Sequence, residues 1–307
     1  MSAPAQASAL ARRDPVLPGS GLPGSGLPGR RIGWGTLVEV LAYLALVVFA
    51  IIYVYPFLIQ IATSFKTSAD ATANPLALIP RPWTTDAFRQ LGQADFVRWF
   101  GNSVFIAVFV TAGRLFFDSL AGYSLARLHW VGRRAVSGAV IAVMAVPGVV
   151  LLIPKYLVLV QLGLFNTYYG MIIPLMADAA GVFIMRQFFI SIPVEVEEAA
   201  RIDGAGTFRV YWSVVLPMAR PALLTLTILS FQGSWNEFTY FLISRNRPDL
   251  NTLTSGVATL ISGSLGAGNQ YPIKLAAALI MTIPTALVFF IFQRYFIRGA
   301  SAGAVKG

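Results

Sequence analysis

Six long apolar runs constrain this sequence more than any other feature. A helix needs about 20 consecutive apolar residues to cross roughly 30 Å of hydrocarbon. The segments that reach or nearly reach this length are 37–61, 103–126, 136–158, 168–190, about 219–243 and about 273–297. The sequence therefore predicts an all-α, polytopic membrane protein with six transmembrane helices.

The composition supports a membrane protein and excludes several other classes. Hydrophobic residues make up 56% of the 307 residues and charged residues only 12%, against about 25% in an ordinary soluble domain. The net charge of +10 does not indicate nucleic-acid binding, because the basic residues lie in small clusters between apolar runs. The chain has no cysteine and a single histidine, His129, so we predict no metal site, and no motif indicates catalytic residues.

The first 36 residues differ from the rest of the chain. They contain the repeat LPGSGLPGSGLPGRR at 17–31, which offers no side chains to bury. No apolar core follows Arg12 and Arg13 before the repeat, as a signal peptide would require. We predict a disordered, Pro/Gly/Ser-rich cytoplasmic tail over 1–36 and a membrane domain over 37–307.

The distribution of lysine and arginine predicts the orientation of the spans. With the N-terminus inside, 14 of the 23 lysines and arginines fall on the inner side. This bias favours cytoplasmic N- and C-termini. It also places the polar segment EVEEAARIDGAG, residues 195–206, in the cytoplasm between the fourth and fifth spans.

Ionisable residues inside the predicted spans need partners. Arg114 and Asp118 are four residues apart in the second span, so we expect an intramembrane ion pair, most simply a structural one. Asp178 and Glu237 have no evident partner in their own helices and should face protein or water. Four prolines inside later spans predict kinked or broken helices: Pro147, Pro154, Pro174 and Pro284.

The polar segment at 195–206 predicts a short helix. Ser191 can cap it and Pro193 suits its first turn. Its glutamates favour the positive helix end, whereas Ala199 and Ala200 allow another surface to approach closely. Asp203-Gly204 should end the helix. A second amphipathic stretch over 208–215 precedes Leu216-Pro217, giving a helix–turn–helix over 191–217; an ordinary solvated loop is the alternative.

The longer run EAARIDGAGTFRVYWSVVLP, at 198–217, resembles the EAA signature of membrane subunits of ABC importers. The positions that match are Glu198, Ala199, Ala200, Gly204, Val214, Leu216 and Pro217, with Val214 in place of the usual isoleucine. Further segments resemble the carbohydrate-uptake branch, specifically the maltose-type second permease. These are NSVFIA (102–107), SLAGYSLARLHWVGRR (119–134), IPKYLVLVQLGLFNTYYGMIIP (153–174), FQGSWNEF (231–238) and QRYFIRGASAGAVKG (293–307).

This resemblance implies a transport subunit of the bacterial plasma membrane. It implies that the helix from Glu198 through Asp203 to Gly204, with Leu216 and Pro217, contacts a cytoplasmic ATPase. Implied partners are a second permease, two ATPases and an extracellular sugar-binding protein. The chain has no GxxxxGK[ST] phosphate loop, so it is not expected to be an enzyme or to bind a cofactor. ATP and Mg²⁺ would be bound by the ATPases.

Trp235, Asn236 and Glu237, in the fifth span, are candidates for the translocation pathway. An indole face with an amide and a carboxylate suits a sugar, which has apolar faces and hydroxyl edges. In the alternative interpretation Trp235 packs at a helix interface and Asn236 bonds across helices.

The substrate class implied is a di- or oligosaccharide or a related sugar derivative, with glycerol phosphate or a polyol as alternatives. Two other classes remain open. One is a self-sufficient secondary transporter with Asp178 or Glu237 as a proton site, although no internal repeat supports it. The other is a membrane-embedded aspartyl protease using Asp118 and Asp178, which no accompanying motif supports.

Overall fold

Every regular element is helical within residues 34–262 and 270–304, the part of the chain that the computed structural model describes. The all-α prediction is confirmed. Residues 1–33 of the predicted tail lie outside the described residues. The α-helices are α1 Trp34–Ser64, α2 Ser68–Ala73, α3 Asp86–Gln93, α4 Phe96–Arg127, α5 Arg133–Met144, α6 Leu152–Gln161, α7 Tyr168–Ile172, α8 Ala179–Ser191, α9 Glu195–Ile202, α10 Thr207–Arg209, α11 Leu216–Met218, α12 Arg220–Asn236, α13 Thr239–Ile243, α14 Leu253–Ser262 and α15 Tyr271–Ala304.

The chain divides into two compact units, with the boundary between Ile52 and Tyr53. In the first unit the described residues form the N-terminal part of α1, a run of large apolar side chains. The second unit contains the C-terminal turns of α1 and all the other helices.

Four helical segments are long and apolar enough to cross a membrane. They are Leu37–Ser64, Phe96–Arg127, Tyr168–Ser191 and Tyr271–Gln293, and they correspond to the predicted first, second, fourth and sixth spans. The predicted third and fifth spans correspond to bent pairs of helices, so the described residues contain four to six spans. The polytopic architecture is thereby confirmed.

The third span bends sharply at a proline. Its two halves, Arg133–Met144 and Gly148–Gln161, meet at 103°. Pro147 lies in the break, where its ring disfavours helical geometry at the preceding residue. Pro284 behaves differently, because α15 continues through it without interruption.

The fourth span is interrupted rather than continuous. Helix α7 passes into a 3₁₀ turn at Ile173–Leu175, which contains Pro174, and α8 begins at Ala179. The Asp178 carboxylate caps α8 by accepting a 3.2 Å hydrogen bond from the Gly181 amide. Backbone groups freed by such a break inside a membrane need partners from neighbouring helices.

Helix α4 is the element against which the second unit is built. It packs against both α8 and α12, and its buried residues contribute to all three apolar clusters of the core. One cluster surrounds Trp99 and Trp235, the second Tyr123 and Tyr211, and the third Ile106 and Tyr240. Its opposite face exposes Phe105 and Phe109, as expected for a helix that meets lipid or another subunit.

The contact between α4 and α8 depends on a glycine. A Cβ added at Gly122 would lie 2.7 Å from the Met185 Cβ and 2.9 Å from the Arg186 backbone nitrogen. These nearest atoms are a backbone nitrogen and a Cβ, which cannot move unless α8 itself moves. Small residues are the usual means by which membrane helices approach closely.

We expect Gly122→Ala to lower the stability of the fold by about 1–3 kcal/mol, the usual cost of overpacking. Gly101→Ala is the matched control, because Gly101 lies in the same helix and has nothing within 4 Å of its added Cβ. That control should be neutral or stabilising by up to about 1 kcal/mol through helix propensity. The midpoint of thermal unfolding in detergent measures both, and equal midpoints would contradict the close approach.

Candidate functional site

The predicted polar helix forms as α9, Glu195–Ile202, between the fourth and fifth spans. Three glutamates occupy its first turn, where the positive end of the helix dipole favours them. Its N-cap is Val194, without a side-chain cap. The prediction that Ser191 caps the helix is therefore wrong: Ser191 ends α8 and its hydroxyl donates to the Phe188 carbonyl at 2.7 Å.

The helix ends where the sequence predicts, at Asp203-Gly204. Gly204 has a φ of 82°, which glycine adopts without the penalty of a Cβ. The Ala205 amide donates to the Ala200 carbonyl and the Gly204 amide to the Arg201 carbonyl, both at 3.0 Å. This pair of bonds is a Schellman motif, which satisfies carbonyls at the helix end and turns the chain sharply.

The second half of the segment is an irregular helix. It runs over Thr207–Met218 and contains a π-helical stretch at Val210–Val215. It meets α12 at 79°, and Leu216-Pro217 lie next to this bend. The helix–turn–helix predicted over 191–217 is therefore present, with α12 turning away from it.

Helix α9 has one buried and one exposed face. At 3.6 residues per turn, residues 195, 198, 199 and 202 share a side, and all four are exposed. Ile202 is 86% exposed although it is large and apolar. Val196, Glu197 and Ala200 lie on the other side, and Glu197 is only 2% exposed.

Two aromatic side chains are exposed in the second half of the segment. Phe208 and Trp212 are 66% and 51% exposed, and their rings stack with centroids 6.2 Å apart. Like Ile202, they are large apolar side chains left exposed within 15 residues of the EAA triplet. The sequence interpretation emphasised the small and acidic residues of the motif and missed these apolar residues, of which a helical projection of α9 would have indicated Ile202.

On the buried side, Glu197 joins α9 to the end of α4. Its Oε1 lies 2.9 Å from the Arg127 Nε, an ion-pair contact whose angle falls outside hydrogen-bond geometry. Its Oε2 accepts a 3.1 Å hydrogen bond from the Tyr123 hydroxyl and lies 3.6 Å from Arg201. Of the three glutamates, the sequence interpretation singled out Glu198, whereas the structure buries Glu197.

The predicted pathway residues do not share one environment. Trp235 is 2% exposed, donates from Nε1 to the Met281 carbonyl at 3.0 Å and stacks on Phe231 with centroids 5.6 Å apart. Its indole is thus enclosed by α12 and α15, which corrects its assignment to the pathway wall. The alternative of packing at a helix interface is the one that the structure shows.

Asn236 and Glu237 lie at a break in the fifth span. Asn236 ends α12 and is exposed. Glu237 is half-buried, and its Oε1 accepts a 2.8 Å hydrogen bond from the Tyr240 amide at the start of α13. Of the three candidates, Asn236 alone presents a polar side chain largely to the surface.

Arg114 and Asp118 contact the interrupted fourth span rather than each other. Among the described residues no ion pair within 4 Å joins them, so the predicted pair is corrected. Arg114 donates from Nε to the Leu175 carbonyl at 2.8 Å, and the Asp118 Oδ1 accepts a 2.9 Å hydrogen bond from the Asp178 amide. Their spacing along α4 predicts that the two side chains share a side of the helix. It does not predict that backbone groups of the fourth span lie opposite them.

Comparison with known proteins agrees with the motif. Residues 118–301 match the family described as binding-protein-dependent transport system inner membrane component. The arabinooligosaccharides transport system permease protein AraQ of Halalkalibacterium halodurans is 35% identical over 84% of this chain and 93% of its own length. The polygalacturonan/rhamnogalacturonan transport system permease protein YtcP of Bacillus subtilis is 32% identical over 88% and 99%.

The fold is also that of a solved transporter. A subunit of a bacterial ABC transporter involved in the import of the acidic polysaccharide alginate superposes with a TM-score of 0.75 at 24% sequence identity. The superposition covers 89% of this chain and 100% of that one. The chain therefore belongs to the family of binding-protein-dependent transport system inner membrane components, and it is a multi-pass permease subunit of the bacterial plasma membrane rather than an enzyme.

Proposed function

We propose that this chain forms half of the translocation pathway of an ATP-driven importer for an oligosaccharide, and that α9 is its contact with a cytoplasmic ATPase. The single observation that carries the proposal is the exposed face of α9, which bears Glu198 and Ala199 of the EAA motif on a helix ended by Gly204. Two ATPases and a second permease complete the proposed assembly, and ATP and Mg²⁺ bind to the ATPases.

The chemistry of the exposed face suits docking into a protein groove. Ala199 brings the helix backbone close to the surface, and Ile202 offers an apolar side chain at 86% exposure. Burying such a side chain against a partner contributes roughly 1.5–3 kcal/mol. The exposed carboxylates of Glu198 and Asp203 would then lie at the rim, where charges are cheaper to keep hydrated.

The proposed orientation follows from the positive-inside bias. It places α9 and both termini in the cytoplasm, because the inner segments carry most of the lysines and arginines. Arg127, Arg133 and Arg134 mark the inner end of the second span and the start of the third. The same orientation brings the ends of the fourth and fifth spans beside α9 to the ATPase side.

The oligosaccharide substrate is supported by the relatives. The two permeases described above are named for arabinooligosaccharides and for polygalacturonan/rhamnogalacturonan, and the superposed transporter imports alginate. A related solved complex, with a TM-score of 0.61 at 16% identity, contains an alginate pentasaccharide-bound periplasmic protein. A binding protein that delivers a sugar is therefore the proposed external partner.

Glycerol phosphate is the second candidate. The sn-glycerol-3-phosphate transport system permease protein UgpE of Yersinia enterocolitica is 27% identical over 85% of this chain, which is less than the sugar permeases. The ligand of the cognate binding protein separates the two: calorimetric titration with pentose and uronic-acid oligosaccharides should give binding, and binding of glycerol phosphate alone would favour the alternative.

The proposed ATPase contact can be tested at Ile202. Ile202→Glu places a charge where the groove needs an apolar side chain, so we expect about 2 kcal/mol of lost affinity, roughly thirtyfold, as for a central interface residue. Co-purification of the ATPase subunits with tagged, detergent-solubilised chain measures it.

The matched control is Val131→Glu, since Val131 is fully exposed outside α9. Equal recovery of the ATPases with both variants would contradict α9 as the contact.

Substitutions at Asn236 and Trp235 should have different effects. Asn236→Ala removes a hydrogen-bonding group, so we expect the KM for transport in proteoliposomes to rise by about fivefold, equivalent to about 1 kcal/mol, at unchanged thermal stability. Trp235→Ala leaves a core cavity and should cost about 3–5 kcal/mol of stability. An unchanged KM for Asn236→Ala would remove it from the pathway.

A further inference from the structure

We propose that Glu197, Arg127 and Tyr123, here called the Glu197 cluster, form the link that passes displacement of α9 to α4. The three are positioning residues, because they meet between α9 and α4, on the side of α9 opposite its exposed face. The inference rests on the proposed function in one respect only, namely that α9 is what the ATPase moves.

Both oxygens of Glu197 are engaged. Oε1 faces the Arg127 Nε at 2.9 Å, and Oε2 accepts from the Tyr123 hydroxyl at 3.1 Å. The side chains of Glu197 and Arg127 are 2% and 13% exposed. A charge pair shielded from water in this way is screened little by salt, and leaving one partner alone is costly. The carboxylate therefore holds α9 in one position on α4.

Arg127 connects three elements at once. It is the last residue of α4 and also donates from Nη2 to the carbonyl of Ile192. Ile192 is the C-cap of α8 and begins the short connection to α9. The guanidinium thus ties the end of α4 to the residues on both sides of that connection.

The other contacts of α9 do not fix its position in this way. On its buried side Ala200, and beyond its end Ala205, pack against the core cluster around Tyr211, and methyl groups this small set no direction. Glu195 and Glu198 are exposed. Arg201 reaches Glu197 at 3.6 Å but is half-exposed. Within the part of the chain that the structure describes, the directional contacts that α9 makes away from water are those of the Glu197 cluster.

The position of α4 gives this link its consequence. Helix α4 packs against α8 and α12, so it belongs to the contacts of both the fourth and the fifth span. A displacement delivered to its end through Arg127 therefore reaches the fourth and the fifth span, and Asn236 is the last residue of α12 in the fifth. Without the link, α9 could move on its small apolar contacts while α4 stayed in place.

A distance measurement tests the link directly. The chain has no cysteine, so Asp203→Cys and Val131→Cys give two defined spin-label sites on exposed residues after α9 and after α4. Pulsed electron spin resonance on the purified full chain should give a narrow distance distribution. In the same background, Glu197→Gln should at least double its width, and Tyr123→Phe, which removes one hydroxyl, should broaden it less.

Glu195→Gln is the matched control, because it neutralises an exposed glutamate of the same helix turn. Its distribution should stay as narrow as that of the parent. Parent-like widths for both Glu197→Gln and Tyr123→Phe would overturn the proposal, and Tyr123→Phe provides this test even if Glu197→Gln does not fold.

The assembled transporter gives the second readout, and it separates transmission from assembly. We expect Glu197→Gln and Tyr123→Phe to retain the ATPases and to hydrolyse ATP, while sugar transported per ATP falls by about tenfold and about threefold. Parent-like transport per ATP in both variants would overturn the proposal. Failure of the chain without any substitution to retain ATPases would count against the proposed function. The label distances, measured without ATPases, would still decide whether the link exists.

Discussion

The close approach of α4 to the interrupted fourth span is the contact on which the second unit depends. Glycines make it possible at three levels. A Cβ at Gly113 would lie 2.6 Å from the Met176 Cε, one at Gly122 would meet the backbone of α8, and one at Gly181 would meet the carboxylate of Asp118. In a membrane, where lipid competes equally for apolar side chains, such packing rather than hydrophobicity holds helices together.

The close approach of α4 also provides hydrogen-bond partners for the backbone groups that the break in the fourth span leaves free. The break leaves the Leu175 carbonyl and the Asp178 amide without helical partners, and α4 supplies Arg114 to the first and Asp118 to the second. The two ionisable residues thereby serve as polar partners for freed backbone groups, which are expensive to leave unpaired in lipid. Their role as contacts of the fourth span also leaves little support for the protease alternative at Asp118 and Asp178.

The sequence predicted what depends on local pattern. The apolar runs gave the spans, and Asp203-Gly204 gave the end of α9, because both follow from composition or from the conformational freedom of one residue. It could not predict which glutamate of α9 is buried, since that depends on Arg127, which lies 70 residues earlier in the chain. The prediction for Trp235 failed for a related reason. An indole suits a sugar and a core equally, and what holds this one in the core is a hydrogen bond to the Met281 carbonyl, which lies 46 residues later in the chain.

Under the proposed function, docking to an ATPase and connection to the spans are served by different faces of α9 and therefore by different residues. A surface that awaits a partner cannot carry a desolvated charge, because a charge shielded from water without its partner is costly. The exposed face accordingly offers small and apolar side chains with solvated carboxylates, and the charge contact lies on the side that faces α4. If α9 is the ATPase contact that we propose, affinity for the ATPase and rigidity toward the spans can vary independently, since the residues on the two faces do not overlap.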